Sequence, residues 1–293
     1  MLCLLQEEGF SEQTLLPNLY PQNSQMKHSF IYLGVFLLCQ SFSAILVQKL
    51  IAPYFTDSGY DMVVFQIVLS VILYSIMTLA IFLGAKWCPV SNNYVASKPV
   101  GLCGMIVLLA IVLILPSAWV QELLPDQWTK DVLSEQFDKL LRCPEGYIVI
   151  GLSAPLVEEV VFRGAILRKL LEWMNESFGG LTNSKAWIAI VISAVFFAVA
   201  HLNPAQFPHA LLIGTLLGWI YYRTGSIIPG ILYHWVNNST AFVLTGMFPE
   251  VKSDSHLIEY FNGNQTLLFI SVAISIIVAV PCIWQLNRMM KRV

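Results

Sequence analysis

Three apolar stretches of the chain hold side chains that a lipid interior does not tolerate without a function for them. In the first, Glu158, Glu159 and Arg163 stand in Ala154-Pro155-Leu156-Val157-Glu158-Glu159-Val160-Val161-Phe162-Arg163-Gly164. In the second, His201 ends Phe197-Ala198-Val199-Ala200-His201; in the third, His234 and Asn238 stand one helical turn apart in His234-Trp235-Val236-Asn237-Asn238. An ionised side chain at mid-membrane costs at least roughly 2.5 kcal/mol, so such groups face a bundle interior or a wet cavity. On a helix, Glu159 and Arg163 share a face and can pair. Glu158 is turned about 100° away and lacks that partner. A carboxylate neutralised by Arg and a neighbour that is not should differ in proton affinity, which suits a general base beside a structural anchor. Pro155 removes one backbone donor just ahead of them.

Together these residue types define a chemistry. A Glu beside a His can hold and deprotonate a water, while a second His and an Asn donate hydrogen bonds to the oxyanion formed when that water attacks a carbonyl. That combination makes a peptidase. The same types could instead hold a divalent metal such as zinc, through Glu158, His201 and His234, leaving a position open for water. The HExxH pattern common in soluble zinc proteases is absent from the sequence. Taken singly, an ion pair that fixes helix positions, or a His that bridges two helices, would explain each group. Taken together, six desolvated groups in three stretches have nothing else to offset their cost.

The elements that must position them are membrane helices. Hydrophobic residues make up 57% of the 293-residue chain and charged residues only 12%, with a net charge of -2. Lipid is therefore the main solvent, and no basic field exists to attract nucleic acid. A helix needs about 20 apolar residues to cross the hydrocarbon layer. Windows of that kind predict an all-α polytopic membrane bundle of about eight transmembrane helices, near Phe30–Ile51, Met62–Ala85, Val100–Val120, Tyr147–Leu170, Ala186–Leu202, Phe207–Tyr222, Ile227–Phe248 and Leu267–Leu286. The fifth and sixth are separated only by Asn203, Pro204, Ala205 and Gln206, which predicts a tight antiparallel hairpin. The mixed-charge stretch Gln121–Glu145, with Trp128 and Phe137, suits an amphipathic surface helix.

The expected organisation is a polar N-terminal tail over residues 1–28, a transmembrane bundle over 29–287 and a basic tail over 288–293. No signal peptide is expected, because the first 27 residues are polar and acidic at Glu7, Glu8 and Glu12. No CxxC pair occurs among the six cysteines, Cys3, Cys39, Cys88, Cys103, Cys143 and Cys282, which read as free thiols. Lys27, Lys86, Lys98, Arg168, Lys169, Lys185, Arg223, Arg288, Lys291 and Arg292 fall on one face of such a bundle, and Lys49, Lys130, Lys139, Arg142 and Lys252 on the other. The positive excess puts both termini in the cytoplasm, with His201 toward the extracytoplasmic end of its span; the plasma membrane is the expected location.

The residues match a known family pattern. The chain resembles the CPBP intramembrane proteases, also called the CAAX protease and bacteriocin-processing or Abi family. The family's EExxxR reads here as Glu158 to Arg163, its FxxxH as Phe197 to His201, and its HxxxN or HxxxD as His234 to Asn238. The motifs occur in the family's order, on separate spans, within a core of about residues 145–245. The resemblance implies that Glu158 and His201 activate water, that His234 and Asn238 form the oxyanion hole, and that Glu159 and Arg163 support them. It implies a glutamate-type endopeptidase without a metal in one description of the family and a metalloendopeptidase in the other, and the first is preferred here. The substrate would be a peptide or protein in or at the membrane. Asn203 and Gln206 either donate near the cavity mouth or cap the loop, with capping the blander role. A proton-coupled transporter would also bury Glu, His and Arg, and a non-catalytic immunity or scaffold protein would keep them for packing.

Overall fold

A computed structural model of the protein describes residues 24–55, 61–89, 100–125, 133–252 and 255–290. The expected tail over residues 1–28 falls mostly outside them, as do Trp128 and the last three residues. The described chain folds into helices α1 (Ser24–Leu46), α2 (Met62–Gly84), α3 (Val100–Val112), α4 (Ile114–Glu122) and α5 (Ser134–Leu141), then a long composite α6 over residues 144–177. After it come α7 (Asn183–Ala200), α8 (Phe207–Thr224), α9 (Ile228–Met247) and α10 (Gln265–Met289), with a 3-10 turn at Leu257–Phe261. No strand forms among the described residues. The protein is a polytopic helical bundle, integral to a membrane.

Five of its helical stretches are long and apolar enough to cross a membrane: Gln25–Tyr54, Met62–Gly84, Val100–Glu122, Asn183–Ala200 and Gln265–Met289. The three other expected spans, α6, α8 and α9, also fold as helices, of which α8 has 18 residues and α9 has 20. Glu158, Glu159 and Arg163 in α6 and His234, Asn237 and Asn238 in α9 dilute their hydropathy, so the helices that carry the polar groups are the least lipid-like. α1 starts at Ser24, earlier than the apolar window, because backbone hydrogen bonding continues past the last apolar residue. Likewise α10 runs on to Met289, into the segment expected to be tail.

α6 changes winding along its length. Pro144–Tyr147 is α-helical, Ile148–Ser153 takes the wider π winding, Ala154–Glu158 is α again, Glu159–Leu167 is π, and Arg168–Ser177 is α. Pro155 has no N–H to give the turn before it, and the first wide stretch ends just there. Wide turns of this kind concentrate at functional sites. Two carbonyls of the second receive side-chain donors from neighbouring helices: Ser193 Oγ donates to Phe162 O at 3.1 Å and Ser29 Oγ to Ile166 O at 3.4 Å. Every residue from Glu159 to Leu167 is buried, so α6 is the central post of the bundle.

Against that post pack α1, α2, α7, α8 and α9. α7 and α8 form the tight hairpin expected from the Asn203–Gln206 spacing, the most extensive helix pairing in the fold. Small residues allow it: a Cβ on Gly214 would lie 3.1 Å from Ala194 Cβ, and one on Gly218 would lie 2.9 Å from Ile190 Cγ2. α5 is amphipathic, burying Leu140 and Leu141 as expected of a surface helix, and it is held by Lys139 Nζ to Asp61 Oδ2 at 3.2 Å. The described cysteines, Cys39, Cys88, Cys103, Cys143 and Cys282, are free thiols.

Candidate active site

Glu159 and Arg163 form a closed ion pair in the post. Arg163 Nη1 donates to Glu159 Oε1 at 2.7 Å with both side chains essentially fully buried, and Arg163 Nη2 donates to Gly214 O in α8 at 3.1 Å. The guanidinium carbon lies 4.5 Å from the centroid of the Phe197 ring. A desolvated contact of that kind stabilises by about 2 kcal/mol. Phe197 also meets His201 and His234 edge to face, with centroids 4.8 and 5.9 Å apart. The aromatic of the FxxxH motif is therefore the packing centre that keeps Arg163 and both histidines in place.

Glu158 projects away from Arg163, as the helical rotation requires, and keeps 13% exposure. His234 stands between the two carboxylates, its Nδ1 3.4 Å from Glu159 Oε1 and its Nε2 3.8 Å from Glu158 Oε2. The second separation exceeds a direct hydrogen bond. His201 caps α7 and has Nδ1 2.8 Å from Phe197 O. A carbonyl only accepts, so this contact assigns the proton to Nδ1 and leaves Nε2 as the free basic nitrogen. Asn238 Nδ2 donates to Ile150 O at 2.9 Å, and its Oδ1 accepts from Asn237 Nδ2 at 3.3 Å. An amide nitrogen carries two hydrogens, so one N–H of Asn238 remains for a further acceptor.

These groups share one cavity of about 500 Å³, lined by Glu158, His201, His234 and Asn238 on the polar side and by Val71, Phe197, Ala210 and Ile213 on the apolar side. The ion pair lies immediately behind it. All six residues singled out in the sequence thus come together, four at the cavity and two as its backing. Gln206 also lines the cavity, whereas Asn203 is buried and accepts from Ala205 N at 3.2 Å, a turn-capping contact.

Other lining residues belong to no motif of the sequence. His209, two residues into α8, faces the same cavity, with Tyr74 of α2 and Asn237 beside Asn238. His209 has the same signal as His201, a polar side chain at the end of an apolar helix, but it lies outside the three motifs. Glu122, His256 and Tyr260 line the outer part; Glu122 Oε1 accepts from Leu257 N and lies 3.9 Å from His256 Nδ1. Glu122 closes α4 at the start of a polar stretch, and the segment that carries His256 and Tyr260 is too polar to register as part of a membrane bundle.

Among the described residues no group of three or more His, Cys, Asp and Glu side chains is gathered closely enough to hold an ion.

Glycine sets the fit of the anchor. A Cβ on Gly230 would lie 2.6 Å from Glu159 Oε2, and one on Gly164 would run into Cys88 Sγ. The Glu159 carboxylate lies against α9 only because residue 230 has no side chain.

No curated protein and no solved structure matches the chain. Residues 145–240, which carry all six site residues, match the family model described as type II CAAX prenyl endopeptidase Rce1-like, so this third of the chain is similar to the CAAX proteases whose three motifs it carries.

Proposed function

We propose that the protein is an intramembrane endopeptidase of the glutamate type, hydrolysing a peptide bond with a water activated by Glu158 and His201. The observation that carries this is the convergence of Glu158, His201, His234 and Asn238 on one half-apolar cavity, backed by a neutralised Glu159–Arg163 pair. The match of residues 145–240 to an endopeptidase family supports protease activity in general.

Water held between the Glu158 carboxylate and His201 Nε2 loses a proton to one of them as its oxygen attacks the carbonyl carbon. The negative charge that develops on the carbonyl oxygen is met by donors from His234 and by the spare N–H of Asn238. Collapse of the tetrahedral intermediate breaks the C–N bond, and the proton passes to the leaving amine. The apolar wall lowers the local dielectric, which strengthens each of these interactions.

Purified protein in detergent, incubated with a peptide library and read by mass spectrometry, tests the reading. Glu158→Gln and His201→Ala should each abolish cleavage that the unaltered chain performs, with membrane insertion and thermal midpoint preserved. Cleavage retained in both variants would overturn the assignment. Stoichiometric zinc, lost together with activity on chelation, would replace it by the metalloenzyme.

A further inference from the structure

We infer that the cavity opens at the extracytoplasmic end of the bundle, so that the substrate is a peptide segment presented from that side. The inference rests on the peptidase reading only for what enters. The side of entry follows from charge and geometry.

The two ends of the bundle are identified by cross-links between elements. At one end Arg168 Nη2 donates to Trp87 O at 2.9 Å, and Arg223 Nη2 donates to Asn287 O at 2.6 Å and to Met290 O at 2.7 Å. At the other, Lys139 pairs with Asp61, Arg142 Nη2 donates to Val251 O at 3.3 Å, and Glu122 accepts from Leu257 N. Among the described residues the first end carries Lys27, Lys86, Arg168, Lys169, Lys185, Arg223 and Arg288, and the second carries Lys49, Lys139, Arg142 and Lys252. Cytoplasmic loops hold the excess of Lys and Arg, which places the first end in the cytoplasm.

The cavity belongs to the second end. Its outer lining is Glu122 at the close of α4, Leu141 of α5, and Ser255, His256 and Tyr260 before α10. No cation of the first end lines it. Its inner end is closed by Glu159 and Arg163, below which Leu167, Leu217 and Ile220 are fully buried. A cytosolic tail would have to pass through that packed floor. A segment of a membrane protein, or of a translocated peptide, reaches the site directly from the opposite face.

Impermeant labelling of intact cells tests this. Gln265→Cys, at the exposed start of α10, and Ser184→Cys, at the exposed start of α7, are treated with a membrane-impermeant maleimide before and after permeabilisation, against the unaltered chain as background. Gln265→Cys should label in intact cells and Ser184→Cys only after permeabilisation. Ser255→Cys, labelled from outside with a bulky maleimide, should then lose cleavage when assayed in detergent. The reverse labelling pattern overturns the inference and leaves the peptidase reading standing. The expected pattern without any cleavage by the unaltered protein overturns the peptidase reading and leaves the topology standing.

Discussion

The Phe197 ring lies under the Arg163 guanidinium, 4.5 Å from centroid to carbon, and stands nearly perpendicular to the rings of His201 and His234. One side chain thereby links the buried cation to the two imidazoles at the cavity. Phe197→Leu keeps a hydrophobic body but removes the π face, a contact of about 2 kcal/mol when desolvated. The variant should melt several degrees lower in detergent and cleave markedly more slowly. Val199→Leu, on the exposed side of the same helix, should do neither. Equal melting and equal rates for Phe197→Leu would show that the ring is ordinary packing.

Gly230 gives a sharper probe, because the methyl group of Gly230→Ala would meet Glu159 Oε2 at 2.6 Å. The carboxylate would have to shift against Arg163 and His234, so cleavage should fall although no polar group has been removed. Gly246→Ala, in the same helix with nothing within 4 Å, is the control and should be silent. A fully active Gly230→Ala enzyme would mean that the Glu159 position is not critical.

The pair of Glu159 and Arg163 separates anchoring from catalysis. Removing one partner of a buried pair costs about 3–5 kcal/mol, since the other charge is left uncompensated. Glu159→Gln should therefore be poorly stable. Glu159→Leu with Arg163→Met removes both charges and should recover much of the lost thermal midpoint. Cleavage should not recover, because His234 would lose the carboxylate 3.4 Å from its Nδ1. An active double variant would contradict the positioning role.

How far the sequence reveals this arrangement depends on the kind of signal. Membrane helices and the hairpin at Asn203–Gln206 are visible because apolar length and turn residues are local properties. Glu158, Glu159, Arg163, His201, His234 and Asn238 are visible because lipid makes polar groups conspicuous, whatever their partners. The alternating windings of α6 are not, since a wide turn is settled by packing against neighbours and has no residue signature beyond Pro155. Neither is the meeting of Phe197 with Arg163, an aromatic that looks like any other apolar residue. Gly230 and Gly214 owe their importance to a carboxylate and a ring that reach them from other helices, which single-helix periodicity does not encode.

The link between Asp61 and Lys139 ties surface helix α5 to the start of α2 beside the cavity mouth. The Lys139 hydrogen bond, helped by the Val63 and Val64 backbone donors, holds the Asp61 carboxyl below its ordinary range, and Asp61 raises the Lys139 ammonium in turn. A depressed carboxyl adds stability that is present above its unfolded value and is lost as pH falls through the folded one. Both side chains are exposed, so the effect is small and screened by salt. Hydrogen exchange over residues 134–141 should quicken in Asp61→Asn at neutral pH and in the unaltered protein below about pH 4. Exchange that is indifferent to both changes would show that α5 is held by Leu140 and Leu141 alone.

Asn238 makes one hydrogen bond to Ile150 O and retains a second N–H for the reaction. If that second N–H meets the oxyanion, it acts in the transition state and much less in the ground state, so Asn238→Ala should lower kcat by roughly 10²–10³ with little change in KM. If Asn238 only ties α9 to α6, the same variant should lower the thermal midpoint and leave kcat at low temperature nearly unchanged. Measuring both quantities on one preparation distinguishes the two roles. His234→Ala is expected to behave as Asn238→Ala does in kcat. The double variant should then lose much less than the product of the two single effects, because donors that serve one oxyanion act as a unit.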